Sequence, residues 1–120
     1  MEIKDLKIGD WIYSGTYDKV TAIIGNDAEK VQIVRQGQKF NIAVEDVKPI
    51  KLTIKLLEKI GFDPIDYTYY YKDAAIREDE YAWNLSINKG IQDYEKRIFY
   101  LHELQHELWD NDIEIKIELQ

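Results

Sequence analysis

Hydrophobic and polar positions change rhythm about midway along the chain. In the first half, short runs of β-branched and aromatic residues alternate with turn-forming clusters. Trp11-Ile12-Tyr13 stops at Ser14-Gly15, and Tyr17 to Ile24 stops at Gly25-Asn26-Asp27. Lys30 to Val34 turns at Gln36-Gly37-Gln38 into Lys39 to Val44, and Glu45-Asp46 suits a tight turn before Val47-Lys48-Pro49-Ile50. Short strands in succession, joined by tight turns, predict an SH3-like five-stranded small β-barrel over residues 1–52.

From Thr53 onward helical and strand periods mix. Thr53 suits an N-cap for a short helix over 54–60, with Ile54, Leu57 and Ile60 on one face and Gly61 as the stop. Tyr67 to Lys72 reads as a strand by propensity, with Tyr67, Tyr69 and Tyr71 on one face. Asp73 to Glu80 reads as a charged connection, 81–87 as the returning strand, and Asn88-Lys89-Gly90 as a hairpin turn into a strand at 91–94. The strongest helical period runs over 98–109, where Leu101, Leu104 and Leu108 form one apolar stripe and Glu103 and Glu107 face away. Asn111 suits a left-handed cap, and residues 113–119 alternate apolar and charged as a half-buried strand does. The expected class is therefore α+β: the barrel, then an α+β unit over 53–120 packed closely with it.

Composition adds limits. The 120 residues are 45% hydrophobic and 12% aromatic, enough for a real core. There is no cysteine, which excludes disulfides, thiolate nucleophiles and cysteine-based metal sites. The opening Met1 to Lys7 lacks the apolar core of a signal peptide, and no apolar run reaches bilayer length, so the expected compartment is cytoplasmic, with no membrane partner. Residues 1–52 hold 8 acids and 8 bases, whereas residues 53–120 hold 15 acids and 8 bases. The net charge of −7 thus belongs to the second half and disfavours nucleic acid as a partner.

One motif offers chemistry. His102-Glu103-Leu104-Gln105-His106 matches the zinc-hydrolase pattern, in which two histidines one helical turn apart share a metal and the glutamate activates its water. Such a site needs a third protein ligand, and Glu114 or Glu118 is the candidate. Three fixed positions in five recur by chance in on the order of one chain in several hundred of this length. The competing reading makes His102 a boundary residue and His106 a solvated one, and expects Glu103→Gln to change no property beyond charge. The aromatic residues Tyr67, Tyr69, Tyr71 and Trp83 form a second candidate, as an exposed platform for a partner or as core rings with hydroxyls at the rim. The run Arg77-Glu78-Asp79-Glu80 reads as a solvated loop, or as part of a surface imitating nucleic acid.

Leu6 to Trp11, Val47 to Thr53, Gly61-Phe62 and Tyr100 to Gln105 together resemble a group of small proteins of unknown activity from Bacteroidetes genomes and their phages or mobile elements. In that pattern the late helix reads closer to His-Gln-Leu-Gln-Asn, often followed by a Thr-Gly turn. The chain departs from it at Glu103, His106 and Asp110 to Asp112, so the resemblance implies that the complete zinc motif is no family feature. It supplies no activity. The expectation is a non-enzymatic intracellular interaction protein with a protein partner and no cofactor, the alternative being a zinc-dependent hydrolase built on His102, Glu103 and His106.

Overall fold

A computed structural model of the protein describes residues 6–24, 30–89 and 92–119. The fold is α+β, with two antiparallel sheets and two α-helices. The chain separates into two compact units, Met1–Ile50 with Leu119–Gln120, and Lys51–Glu118. The expected turn at Gly25 to Asp27 and the Gly90 part of the turn expected at 88–90 lie outside the described residues. Asn88 and Lys89 are not turn but strand, paired with Asp93 and Gln92, because the ladder runs on past Ile87.

The first unit carries four strands in sequential order: β1 (Trp11–Tyr13), β2 (Tyr17–Ile24), β3 (Lys30–Arg35) and β4 (Gln38–Ala43). Gln36 and Gly37 both take positive φ, 49° and 78°, the geometry of a two-residue hairpin turn whose twist matches its strands. Leu6, Ile12, Val20, Val31, Ile33 and Val47 cluster as the core. The fifth strand expected over 47–50 is reduced to one bridge, Tyr13 with Lys48, closed by backbone hydrogen bonds of 2.9 and 2.8 Å. A 3-10 turn, Val44–Asp46, ends just before it, and Pro49 fixes φ near −65° just after, so little chain is free to run along β1.

The second unit begins with α1 (Ile54–Ile60), capped by Thr53, whose Oγ1 accepts from the Leu56 amide at 3.3 Å. Leu56, Leu57 and Ile60 are its buried residues, while Ile54, expected on that face, is exposed. Gly61 ends the helix at φ 119°, and a Cβ there would lie 3.2 Å from the Tyr71 ring. A five-stranded sheet follows in sequential order: β5 (Asp63–Ile65), β6 (Thr68–Tyr71), β7 (Ala74–Glu78), β8 (Trp83–Lys89) and β9 (Gln92–Ile98). Two of these were not expected. Pro64 reads as a breaker, but β5 is an edge strand, where a missing amide costs no ladder bond. The stretch read as a charged connection at 73–80 contains β7, whose Ala74 and Ile76 are buried while Arg77 and Glu78 stand in water.

Pairing registers fix the faces. Pro64, Tyr69, Ile76, Leu85 and Lys96 stand opposite one another across the sheet, and Glu78, Trp83 and Ile98 form a parallel row. Lys96, on the Leu85 side, reaches Glu107 at 2.6 Å, so α2 (Leu101–Asp110) lies over that face. Leu101, Leu104 and Leu108 are completely buried, as the stripe predicts. Glu107, expected to face away, is buried instead, because Lys96 supplies its counter-charge. The helix starts three residues later than the period suggests, since Ile98 is held in the β9 ladder opposite Trp83. Its end also differs: Asn111 is not left-handed, but its side chain donates to the Glu107 carbonyl at 2.7 Å, and Asp112 takes the positive φ of 60°.

Residues 113–119 are not a strand. Ile113, Ile115 and Ile117 are buried in alternation, but the segment pairs with no ladder. The Glu114 carbonyl accepts from Tyr71 Oη at 3.0 Å and Lys72 Nζ at 3.2 Å, side-chain contacts where a neighbouring strand would have placed amides. Among the described residues no helix is long and apolar enough to cross a membrane.

Candidate functional site: two aromatic clefts

The second unit forms a cleft of about 460 Å³ where β7 ends, β8 begins and β9 runs out. Its floor is Leu52, Ala82 and Trp83, all buried. Trp83 is fixed on two sides: its Nε1–H donates to the Leu52 carbonyl at 3.3 Å, and Tyr69 packs edge-on at 6.1 Å. The walls carry Tyr81, 78% exposed, together with Phe99 and Tyr100, both more than a third exposed. The Lys51–Tyr100 bridge and the Leu52 amide on the Phe99 carbonyl (3.2 Å) tie these wall residues to the chain entering α1.

The loop at 79–82 is shaped by one carboxylate. Asp79 Oδ1 accepts from the Tyr81 and Ala82 amides, and Oδ2 from Asn84 Nδ2, each at 2.8 Å. The two amides first, then Asn84 and Arg97, stabilise the anion and bring the Asp79 pKa down to about 2. Arg97 approaches at 3.5 Å and stands 5.9 Å from the Phe99 ring centroid. Glu78 and Glu80 flank this aspartate on the same cleft, exposed and with no ion-pair partner among the described residues.

The first unit forms a groove of about 540 Å³ lined by Thr16, Tyr17, Arg35, Gln36, Gln38 and Phe40. Beneath it Asp18 is wholly buried, at a β2 position that alternation assigns to the core. Arg35 Nη2 reaches Asp18 Oδ2 at 2.6 Å and Ser14 Oγ at 2.9 Å, while Nε reaches Oδ1 at 3.0 Å. Ser14 and Thr16 hydroxyls also donate to the carboxylate. Burial pushes the Asp18 pKa up, but bonds from Arg35, Ser14 and Thr16 outweigh it, leaving the carboxyl below its usual range. The guanidinium also lies 5.8 Å from the Phe40 ring centroid.

The histidine motif is assembled differently from a hydrolase site. Glu103 Oε1 accepts from the Tyr100 amide at 2.9 Å and the Phe99 amide at 3.0 Å, capping the first turn of α2. Oε1 of the carboxylate that would activate a metal-bound water is therefore engaged by backbone amides. His102 and His106 stand edge to face at 5.5 Å within a column of rings: His102 stacks on Tyr100 at 6.0 Å and His106 meets Trp109 at 6.1 Å. His102 is buried, His106 half-buried. Glu114 and Glu118 are both exposed, and among the described residues no three histidine, aspartate or glutamate side chains converge to hold a metal ion.

The four aromatic candidates are not one platform. Tyr67 is 85% exposed in the β5–β6 turn, Tyr69 and Tyr71 are half-buried, and Trp83 is buried. Tyr71 leans on Phe62 at 5.3 Å, as Tyr69 does on Trp83. Tyr69 and Trp83 thus support the cleft from within, while Tyr81, Phe99, Tyr100, Glu78 and Glu80 form its accessible part. No local pattern singles those five out; the only signals were the acidic run and the adjacent aromatic pair at 99–100. Compared with protein-family models, curated proteins and solved structures, the chain matches none.

Proposed function

We propose that this chain is a non-enzymatic interaction protein that works in the cytoplasm and binds a protein partner through the second-unit cleft. The observation that carries this reading is the assembly of Tyr81, Phe99 and Tyr100, from separate parts of the chain, around a cleft floored by Trp83. Exposed aromatic rings backed by a buried tryptophan are the kind of surface that concentrates binding energy at protein interfaces. Tyr67 provides a further exposed ring in the same unit. Glu103 supports the non-enzymatic side of the reading, because its carboxylate is engaged in capping. The Bacteroidetes and mobile-element resemblance is part of the proposal and fits a small accessory protein.

We read the first unit as an SH3-like barrel on the strength of its sequential sheet and the Lys48 bridge, which sets a fifth segment beside β1. Fold of this kind hosts many binding roles and selects none. The test is capture from cell extract by the tagged full chain. The Tyr81→Ala/Tyr100→Ala pair is expected to abolish capture with unchanged circular dichroism and melting, and Tyr67→Ala to reduce it less. Full capture by the double variant would remove the cleft from the interface.

A further inference from the structure

We infer that the second-unit cleft receives an arginine side chain from the partner polypeptide; this deepens the proposed interaction role and rests on it. The cleft's 460 Å³ is within the size range of ligand-binding clefts. Its rings attract a cation through their negative faces. Its rim carries Glu78 and Glu80, exposed and without ion-pair partners among the described residues. Asp79, between them, is spent on the loop amides and Asn84, so it shapes the rim rather than waiting for a ligand.

The edge of the cleft already holds one guanidinium in this way. Arg97 lies between a carboxylate, Asp79 at 3.5 Å, and a ring, Phe99 at 5.9 Å. An incoming arginine would meet the same pairing of groups in Glu78 or Glu80 with Tyr81 or Tyr100. The opposite charge is disfavoured. The N-terminal end of α2, which begins just after Tyr100 and would attract an anion, is covered by the Glu103 carboxylate. Lys51 also lines the cleft and works against a cation, but the two glutamates outweigh it. Arginine fits better than lysine, because its planar group stacks on rings while its fork addresses carboxylates, and it is less strongly hydrated.

The test titrates the full chain with acetylated, amidated Gly-Ser-X-Ser-Gly peptides, where X is arginine, citrulline, glutamate or tryptophan, followed by backbone amide NMR. The arginine peptide is expected to shift the amides of Glu78 to Trp83 and Phe99-Tyr100 saturably, and less strongly as salt is raised. Citrulline, which keeps the shape without the charge, and glutamate are expected to leave them unmoved. Glu78→Gln/Glu80→Gln should weaken the arginine peptide about tenfold, and Tyr81→Ala about fivefold, in spectra that otherwise overlay. Equal binding of citrulline and arginine, or arginine binding untouched by the double glutamine variant, overturns the inference. Binding of the tryptophan peptide alone overturns it while keeping the cleft as an interaction site. No shift with any peptide removes both.

Discussion

Each unit sets an arginine against an aspartate with an aromatic ring alongside, and the two arrangements differ in burial. In the first, the Asp18 side chain has no exposed surface and Arg35 is bonded to both its oxygens, the shortest contact being 2.6 Å. In the second, Asp79 and Arg97 stand 36% and 50% exposed and meet at 3.5 Å. Burial makes the first pair obligatory, since an ion removed from water needs its partner and its hydrogen bonds. Exposure makes the second optional, because water can replace either partner at little cost. The same residue types thus build a fixed clamp in one unit and a loose, exchangeable rim in the other. Asp79 itself is held by the loop amides and Asn84, so the exchangeable member of the exposed pair is Arg97.

The largest effect expected is a yardstick for the second unit. Leu104→Ala deletes a fully buried side chain and should cost about 2–5 kcal/mol in chemical denaturation. Against it, Arg35→Met should cost about 3 kcal/mol, the low end for breaking a buried pair, since Arg35 keeps a third of its side chain in water. The equivalent Arg97→Met should cost about 0.2–1 kcal/mol. Equal costs at the two arginines would erase the distinction between clamp and rim.

Acid reverses that ranking. Both aspartates are depressed below the ordinary 3.8, so each contributes stability that is present above 3.8 and lost as pH falls through its folded pKa. Asp79 is lowered to about 2, by amides that favour the anion with little desolvation against them. At Asp18 burial is the largest influence and opposes the hydrogen bonds, whereas at Asp79 it ranks behind the amides and Asn84. The stability lost between pH 3.8 and about 2 should therefore fall more in Asp79→Asn than in Asp18→Asn, although Asp18 is the more costly residue to unpair. Denaturation curves across that window for the three proteins decide it. A larger reduction of that loss in Asp18→Asn than in Asp79→Asn would show that burial governs the titration as well.

What the sequence revealed follows the range of the interaction. The Leu101/Leu104/Leu108 stripe, the Thr53 cap and the Gly61 stop are local patterns, and each is found where expected. Asp18 was invisible because its partner lies on another strand, Arg35, and only the β2–β3 register brings them together. The cleft was invisible for the same reason: Glu78, Trp83 and Ile98 share a row through ladder pairing, and Tyr100 reaches it through its bridge to Lys51. Alternation at 113–119 reported burial correctly but not pairing, since period two describes faces and is silent about edges. The histidine motif shows the same limit from the other side. Its spacing describes one helix, whereas a metal site needs a ligand from elsewhere.

The smallest effect expected concerns that motif. Glu103→Gln keeps an oxygen able to accept from the Phe99 and Tyr100 amides but loses the charge at the start of α2. The cost should be about 0.3 kcal/mol, the low end for a charge near a helix terminus, and should shrink in salt. Glu103→Ala loses the acceptor too and should cost about 1 kcal/mol. A general base would behave otherwise: the glutamine variant would fold unchanged, bind zinc through the histidines as before, and lose hydrolysis. Zinc calorimetry on the wild-type chain, Glu103→Gln and His106→Ala separates the two roles. With His102 buried, His106 half-buried and Glu103 turned to the backbone, binding tighter than about micromolar is not expected in any of the three, because among the described residues no third ligand converges on the two imidazoles, and two alone hold a metal weakly. Tight stoichiometric zinc lost in His106→Ala, together with peptide hydrolysis lost in Glu103→Gln, would reassign the carboxylate from capping to catalysis.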